Sequence, residues 1–208
     1  MDKNVYSHII FEVYYTKYIF YGINKYGGKM KMAIIIILIV LAVFMSTVAF
    51  FGGFYKVNLK TVNTGGEILV YENVSGAYNQ ANKISNKVYY ELLNDYKIET
   101  KKGFGIYYDN PRNVEQSKLR SEVGCIVENM DNDTIEKLKE NFQVKIIPMD
   151  NYLVVEFPYK GFLSIMVGMI RVYPVIGKYI VKNNYNDGPI MEIYDIPNRK
   201  IIYRKFIN

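Results

Sequence analysis

Apolar residues run without a charge from 33 to 51, as Ala33-Ile34-Ile35-Ile36-Ile37-Leu38-Ile39-Val40-Leu41-Ala42-Val43-Phe44-Met45-Ser46-Thr47-Val48-Ala49-Phe50-Phe51. Ser46 and Thr47 are the only polar side chains in the run, and a helix lets such hydroxyls bond back to the preceding turn. About 19 residues rising ~1.5 Å each span roughly 29 Å, close to the hydrocarbon core of a bilayer. A soluble core helix would show a polar face, and a buried strand would be far shorter. A signal-peptide core of ~7–15 residues would end on small residues, whereas this run leads into Phe50-Phe51-Gly52-Gly53-Phe54. The pattern predicts one transmembrane helix over 33–54. It follows an N-terminal extension, 1–32, that is rich in Tyr and Phe and has no clear period.

Beyond the apolar run the pattern alternates between strand and helix periods, and it does so twice. The first half opens with a strand at 68–72 and then Ser75-Gly76. Tyr78, Ala81, Ile84, Val88, Leu92 and Tyr96 then recur at helical steps. Strands at 104–108 and 119–128 follow. The second half has a strand at 152–157 and Gly161, then a helical face of Ile165, Met169, Tyr173, Ile176 and Ile180. Pro174 lies inside that run and predicts a kink or restart. Strands at 190–194 and 200–206 complete it. Between the halves, 133–141 reads as a short helix capped by Asp133 or Thr134.

Tyr108-Asp109 and Tyr194-Asp195, each followed by x-Pro, stand at nearly the same distance after Gly76 and Gly161. One such tetrapeptide marks only a turn, but two at matched spacing argue for duplication. The expected fold is α+β, a duplicated β-α-β-β unit over 62–207 with repeats of about 66–129 and 142–207. Each repeat is expected to form a sheet with a helix on one face, leaving a groove between the two.

Charge narrows the function classes. The net charge of +6 is split evenly between 1–31, with five Lys against two acids, and the residues after Tyr55, with 21 basic against 18 acidic. The domain's surplus is scattered, with no basic stripe longer than Lys101-Lys102, so nucleic acid is not an expected partner. Lys25, Lys29 and Lys31 precede the apolar run and Lys56 and Lys60 follow it, so charge bias barely sets its direction. A product starting at Met30 or Met32 instead of Met1 would favour a cytosolic C-terminal domain. The single cysteine, Cys125, excludes an intrachain disulfide and fits a reducing compartment. The sequons at Asn73 and Asn132 matter only if the domain is lumenal. The only histidine, His8, precedes the domain, which excludes His-based triads and His-rich zinc sites there. No metal or cofactor is expected.

In the groove, alternation puts Glu192 and Tyr194 on one strand face, and the spacing of the two Tyr-Asp-x-Pro motifs makes Ile106 and Tyr108 their counterparts. A carboxylate among tyrosines can bind a cation or a polar ligand. The competing reading is an exposed Glu192, or one paired with a nearby Lys or Arg. A tyrosine and a carboxylate on one β-face are too common to support acid–base catalysis, so no enzyme is expected.

The duplicated unit with Glu192-Ile193-Tyr194 resembles the gyrase-inhibitor-like effector-binding domain of bacterial multidrug-sensing regulators. A more specific series begins with Gly105-Ile106-Tyr107-Tyr108-Asp109-Asn110-Pro111 and Val123-Gly124. It continues through Phe157-Pro158-Tyr159, Ser164-Ile165, Arg171-Val172-Tyr173-Pro174 and Tyr179-Ile180. In that order it resembles the testis-expressed endoplasmic-reticulum receptor family, which also places one membrane helix directly before such a domain. The resemblance implies a single-pass protein of the endoplasmic reticulum membrane with a cytosolic domain, acting as a receptor or adaptor in reticulophagy through autophagy proteins. The family works through a disordered tail whose aromatic-x-x-aliphatic motif adds a strand to its partner. Here the sequence ends at Asn208 on the last expected strand, without that tail. Tyr71-Glu72-Asn73-Val74 and Tyr152-Leu153-Val154-Val155 fit the motif but fall in expected strands, and Tyr6-Ser7-His8-Ile9 precedes the anchor. The alternative is a membrane-tethered small-molecule sensor that uses the groove.

Overall fold

A computed structural model describes residues 3–207, with side chains from Tyr14 onward except 19–20 and 22–26. Met1 and the side chains of Tyr6 to Ile9 therefore lie outside the described residues. The chain divides into two compact bodies, Met1–Val48 and Ala49–Asn208.

The first body is helical. Helix α1 runs over Lys3–Phe50, so the expected anchor is the distal part of a longer helix, and no break separates it from the extension. No proline interrupts that stretch, which is what allows the helix to continue. Its apolar part, Gly27–Phe50, is long enough to cross a bilayer. Thr47 donates its hydroxyl proton to the Val43 carbonyl at 2.9 Å, which hides its polarity within the helix.

The second body is an α+β domain on one antiparallel sheet. In chain order its elements are β1 (Leu59–Thr64), β2 (Ile68–Ser75), α2 (Ala81–Asp95), β3 (Lys102–Tyr107), β4 (Arg120–Val127) and α3 (Asn132–Lys139). They continue as β5 (Gln143–Ile146), β6 (Asp150–Pro158), α4 (Phe162–Lys182), β7 (Ile190–Asp195) and β8 (Lys200–Phe206). The strand order is β1-β6-β8-β7-β3-β4-β2-β5. The two halves expected to form separate sheets are thus fused through the β3–β7 pairing. Each repeat also lends its leading strand to the other: β1 pairs with β6, and β5 pairs with β2.

Alternation along the strands sorts the core. Val70, Cys125 and Val127 meet Val88 and Leu92 of α2, while Leu153, Val155, Phe157, Ile201 and Tyr203 meet Val172, Ile176 and Ile180 of α4. The other face packs on itself: Leu69, Tyr71, Phe104, Ile106 and Ile126 join Tyr152, Met191 and Ile193. Each fully buried Leu, Ile or Phe contributes about 1.5–3 kcal/mol, so the helix-covered face and the self-packed face both hold the sheet.

Three local expectations change. Of the kink or restart expected at Pro174, the restart does not occur: α4 runs through it as a single element, carried by its apolar contacts with β6 and β8. The N-cap of α3 is Asp131, whose carboxylate accepts the Thr134 N–H at 2.7 Å, and neither Asp133 nor Thr134 fills that role. The strands β1 and β5 were not anticipated; both are short edge strands with largely exposed or half-buried residues, so neither carries an apolar signal.

Candidate functional site

The site grows from the β3–β7 join. On β7, Met191 and Ile193 enter the self-packed core, so period two turns Glu192 and Tyr194 toward the helices. Glu192 is only 1% exposed. From α4, the Tyr173 hydroxyl donates to Glu192 Oε1 at 2.7 Å, and the Tyr194 hydroxyl donates to Oε2 at 2.5 Å. Glu192 faces Gly105 on one side and Tyr203 on the other in the strand register. Tyr107 folds back over Gly105, where a β-carbon would lie 2.6 Å from its hydroxyl oxygen. Tyr203 packs edge-on against Tyr173 with centroids 6.0 Å apart, and its buried hydroxyl has no hydrogen-bond partner among the described residues. Tyr78 stacks edge-on on Tyr107 at 4.8 Å, and Tyr159 approaches Tyr194 at 6.5 Å. The result is a carboxylate enclosed by tyrosines drawn from both repeats.

Electrostatics follow from that enclosure. Burial pushes the Glu192 pKa up, and the two tyrosine hydrogen bonds only partly offset it. Burial first, and then the Glu192 charge, raise the pKa of Tyr107, Tyr173, Tyr194 and Tyr203, so the phenols stay protonated and serve as donors. No Lys or Arg among the described residues forms an ion pair with Glu192, so the expected alternatives of exposure or ion pairing do not hold.

Of the four residues expected to line the groove, Glu192 and Tyr194 come together. Ile106 points to the opposite face and is buried in the self-packed core. Tyr108 lies just beyond β3, and its hydroxyl donates to Glu122 at 2.8 Å, in a separate cluster that includes Lys145. The cause is a one-residue offset. Gly105 pairs with Glu192, Gly103 with Tyr194 and Tyr107 with Ile190, so Tyr107 shares the face of Glu192 and Tyr194 while Tyr108 is one residue out of step with it. A single-residue slip exchanges the faces of a strand. Sequence reasoning missed Tyr107 and Tyr203; Tyr173 stood on the apolar stripe of α4 and could have been drawn in from there.

A family model described as a GyrI-like small molecule binding domain matches residues 65–203. The chain belongs to the GyrI-like family. The GyrI-like domain is therefore a small-molecule-binding module by family, and the tyrosine-enclosed Glu192 lies at the join of its repeats. The chain is also similar to human testis-expressed protein 264, with 32% identity over 99 residues, covering 45% of this chain and 32% of the relative. The mouse homologue of that protein is 30% identical over 99 residues. The match thus spans about a third of the length of these curated relatives. Among solved structures, the GyrI-like fold is shared with the EcmrR–DNA complex, at a TM-score of 0.51 and 14% identity over 74% of this chain and 57% of that one.

Proposed function

We propose that this chain is a membrane-tethered binding protein whose GyrI-like domain takes a small organic cation at Glu192. The observation that carries the reading is a carboxylate buried without a cationic partner. Such a group is costly to keep, and a cation bearing an apolar shell would replace the missing charge while stacking on the surrounding rings. Tyr107, Tyr173 and Tyr194 are each half-buried while Glu192 is buried, so a ligand meets the tyrosines first and displaces the two phenol donors on arrival. Binding fits better than catalysis: the domain has no histidine, and Cys125 packs on the α2 side of the sheet. The apolar part of α1 supplies the tether. Tetraphenylphosphonium should raise the melting temperature of the detergent-solubilised chain, and Glu192→Gln should abolish that rise. An equal rise in the variant would remove Glu192 from the site and sink the reading.

The resemblance to testis-expressed protein 264 supports a second layer. In it the domain faces the cytosol from the endoplasmic reticulum membrane and serves as a receptor or adaptor linked to reticulophagy. The Tyr152–Val155 backbone in β6 is already paired on both sides, which removes it as a partner surface, whereas Tyr71–Val74 in β2 pairs with β4 throughout and with β5 only at Tyr71. Protease digestion of microsomes carrying doubly tagged chain should destroy the C-terminal tag and leave the membrane fraction anchored. A protected C-terminal tag would overturn this topology.

A further inference from the structure

The outward face of α4 is apolar where a domain helix should be polar. Its buried stripe, Ser164, Gly168, Val172, Ile176 and Ile180, packs on the sheet. The opposite stripe steps through Leu163, Met166, Ile170, Pro174, Gly177 and Val181 at three- and four-residue intervals, with Phe162 beside its start, and every one of these is exposed. Phe162 is 70% exposed, Ile170 71% and Val181 78%. An ordinary surface helix puts charges on that face. The helix has no acidic residue at all, and its three cations, Arg171, Lys178 and Lys182, gather along one flank of the apolar stripe.

What covers this face is indicated by where the apolar segment enters the domain. Residues from Ala49 onward belong to the same compact body as the sheet. Lys160, just before α4, lies over the Phe50 ring at 4.3 Å, and Arg171 donates to the Tyr55 carbonyl at 3.0 Å. The Tyr55 ring meets Phe157 edge-on at 5.4 Å. Phe54 is 64% and Tyr55 43% exposed beside it. Phe50 and Tyr55 therefore touch the chain just before α4 and at its mid-length, at Lys160 and Arg171.

We infer that α4 is a membrane-surface helix. Its stripe from Phe162 to Val181 lies in the headgroup layer of the bilayer that holds the tether, and Arg171, Lys178 and Lys182 engage anionic lipid. An apolar face with a basic flank is the pattern of interfacial helices, and basic residues near a membrane gain from anionic headgroups. The buried stripe fixes α4 to the sheet, so it lies on the membrane and does not cross it. The inference rests on the reading of α1 as a membrane tether.

The chain has no tryptophan, so a single one reports its own surroundings. Full-length chain carrying Ile170→Trp, Ile39→Trp or Tyr90→Trp would be reconstituted into phosphatidylcholine–phosphatidylserine vesicles, with or without brominated phosphatidylcholine. The expected result is blue-shifted emission quenched by the brominated lipid at 170 and at 39, and neither at 90, an exposed position on α2. Quenching at 39 without quenching at 170 overturns the inference and leaves the tether intact. Absence of quenching at 39 overturns the tether, and quenching at 170 alone would then make α4 the membrane-binding element by itself. A blue shift at 170 without quenching means that a second copy or another protein covers the face, and the inference falls. Removing phosphatidylserine should weaken quenching at 170 and leave 39 unchanged; equal quenching at 170 in both lipids overturns the role given to the three cations.

Discussion

Gly105 on β3 and Glu192 on β7 sit opposite each other at the join of the two repeats, and the absent side chain of the first makes room for Tyr107. A methyl group at Gly105 would meet both the hydroxyl oxygen and Cζ of that ring, at 2.6 and 2.8 Å. Gly105→Ala should therefore destabilise the domain by about 1–3 kcal/mol through overpacking. Urea denaturation checks it, and a variant as stable as the parent would mean that the ring moves aside freely.

The buried Glu192 gives a stability slope of definite sign. Its pKa is raised in the folded chain, so below the unfolded value of about 4.5 both states are protonated and the group costs nothing. As pH rises above that value the unfolded state releases its proton first, and stability falls until the folded pKa is passed. Glu192→Gln should flatten this decline and be more stable than the parent at neutral pH. Denaturation across the acid-to-neutral range tests it; a parallel decline in both chains would assign the slope to other groups.

Glu67 carries the opposite slope. Its partner Arg204 is buried on the self-packed face, and the guanidinium donates to Glu67 in a two-pronged pair at 2.9 and 2.7 Å. Burial pushes the Glu67 carboxyl up, but the Arg204 hydrogen bonds and charge outweigh it and hold the pKa below 4.5. Its contribution is complete above the unfolded value and is lost as pH falls through the folded one. Glu67→Gln leaves Arg204 buried with an unpaired charge and should cost about 3–5 kcal/mol. A double-mutant cycle with Arg204→Met should recover much of that loss. Strict additivity would show that the two residues do not interact.

Pro174 leaves the Ile170 carbonyl without its helical donor, on the exposed side of α4. Pro174→Ala should restore that hydrogen bond and stabilise the chain by about 1–3 kcal/mol. A loss of stability would mean that a bend at Pro174 is needed to fit α4 against β6 and β8.

Much of this architecture was legible in the sequence, and the failures have physical causes. The helices α2 and α4 and the inner strands announced themselves because a helix at Val88–Leu92 spacing and alternation at Met191–Ile193 have different periods. Edge strands such as β1, with Lys60, Thr61 and Asn63, bury too little to be read. The Tyr-Asp-x-Pro repeat revealed the duplication but not its register, because Tyr107 and Tyr108 are adjacent and only pairing with β7 decides which faces inward. Fusion of the halves into one sheet rests on backbone hydrogen bonds between β3 and β7, which leave no mark on side-chain pattern.

The exchange of leading strands sets a timetable for biosynthesis. Leu59 pairs with Val155, so β1 leaves the ribosome long before its partner exists. Roughly a hundred residues at ~5–20 per second leave it waiting for on the order of 5–20 s. During that interval a bare strand edge hangs beside the apolar segment, where it invites pairing with neighbouring chains. Nascent chains stalled before Val155 should be cut by protease within β1, and chains stalled well beyond Phe206 should resist; equal cleavage of both would show that β1 finds another shelter first.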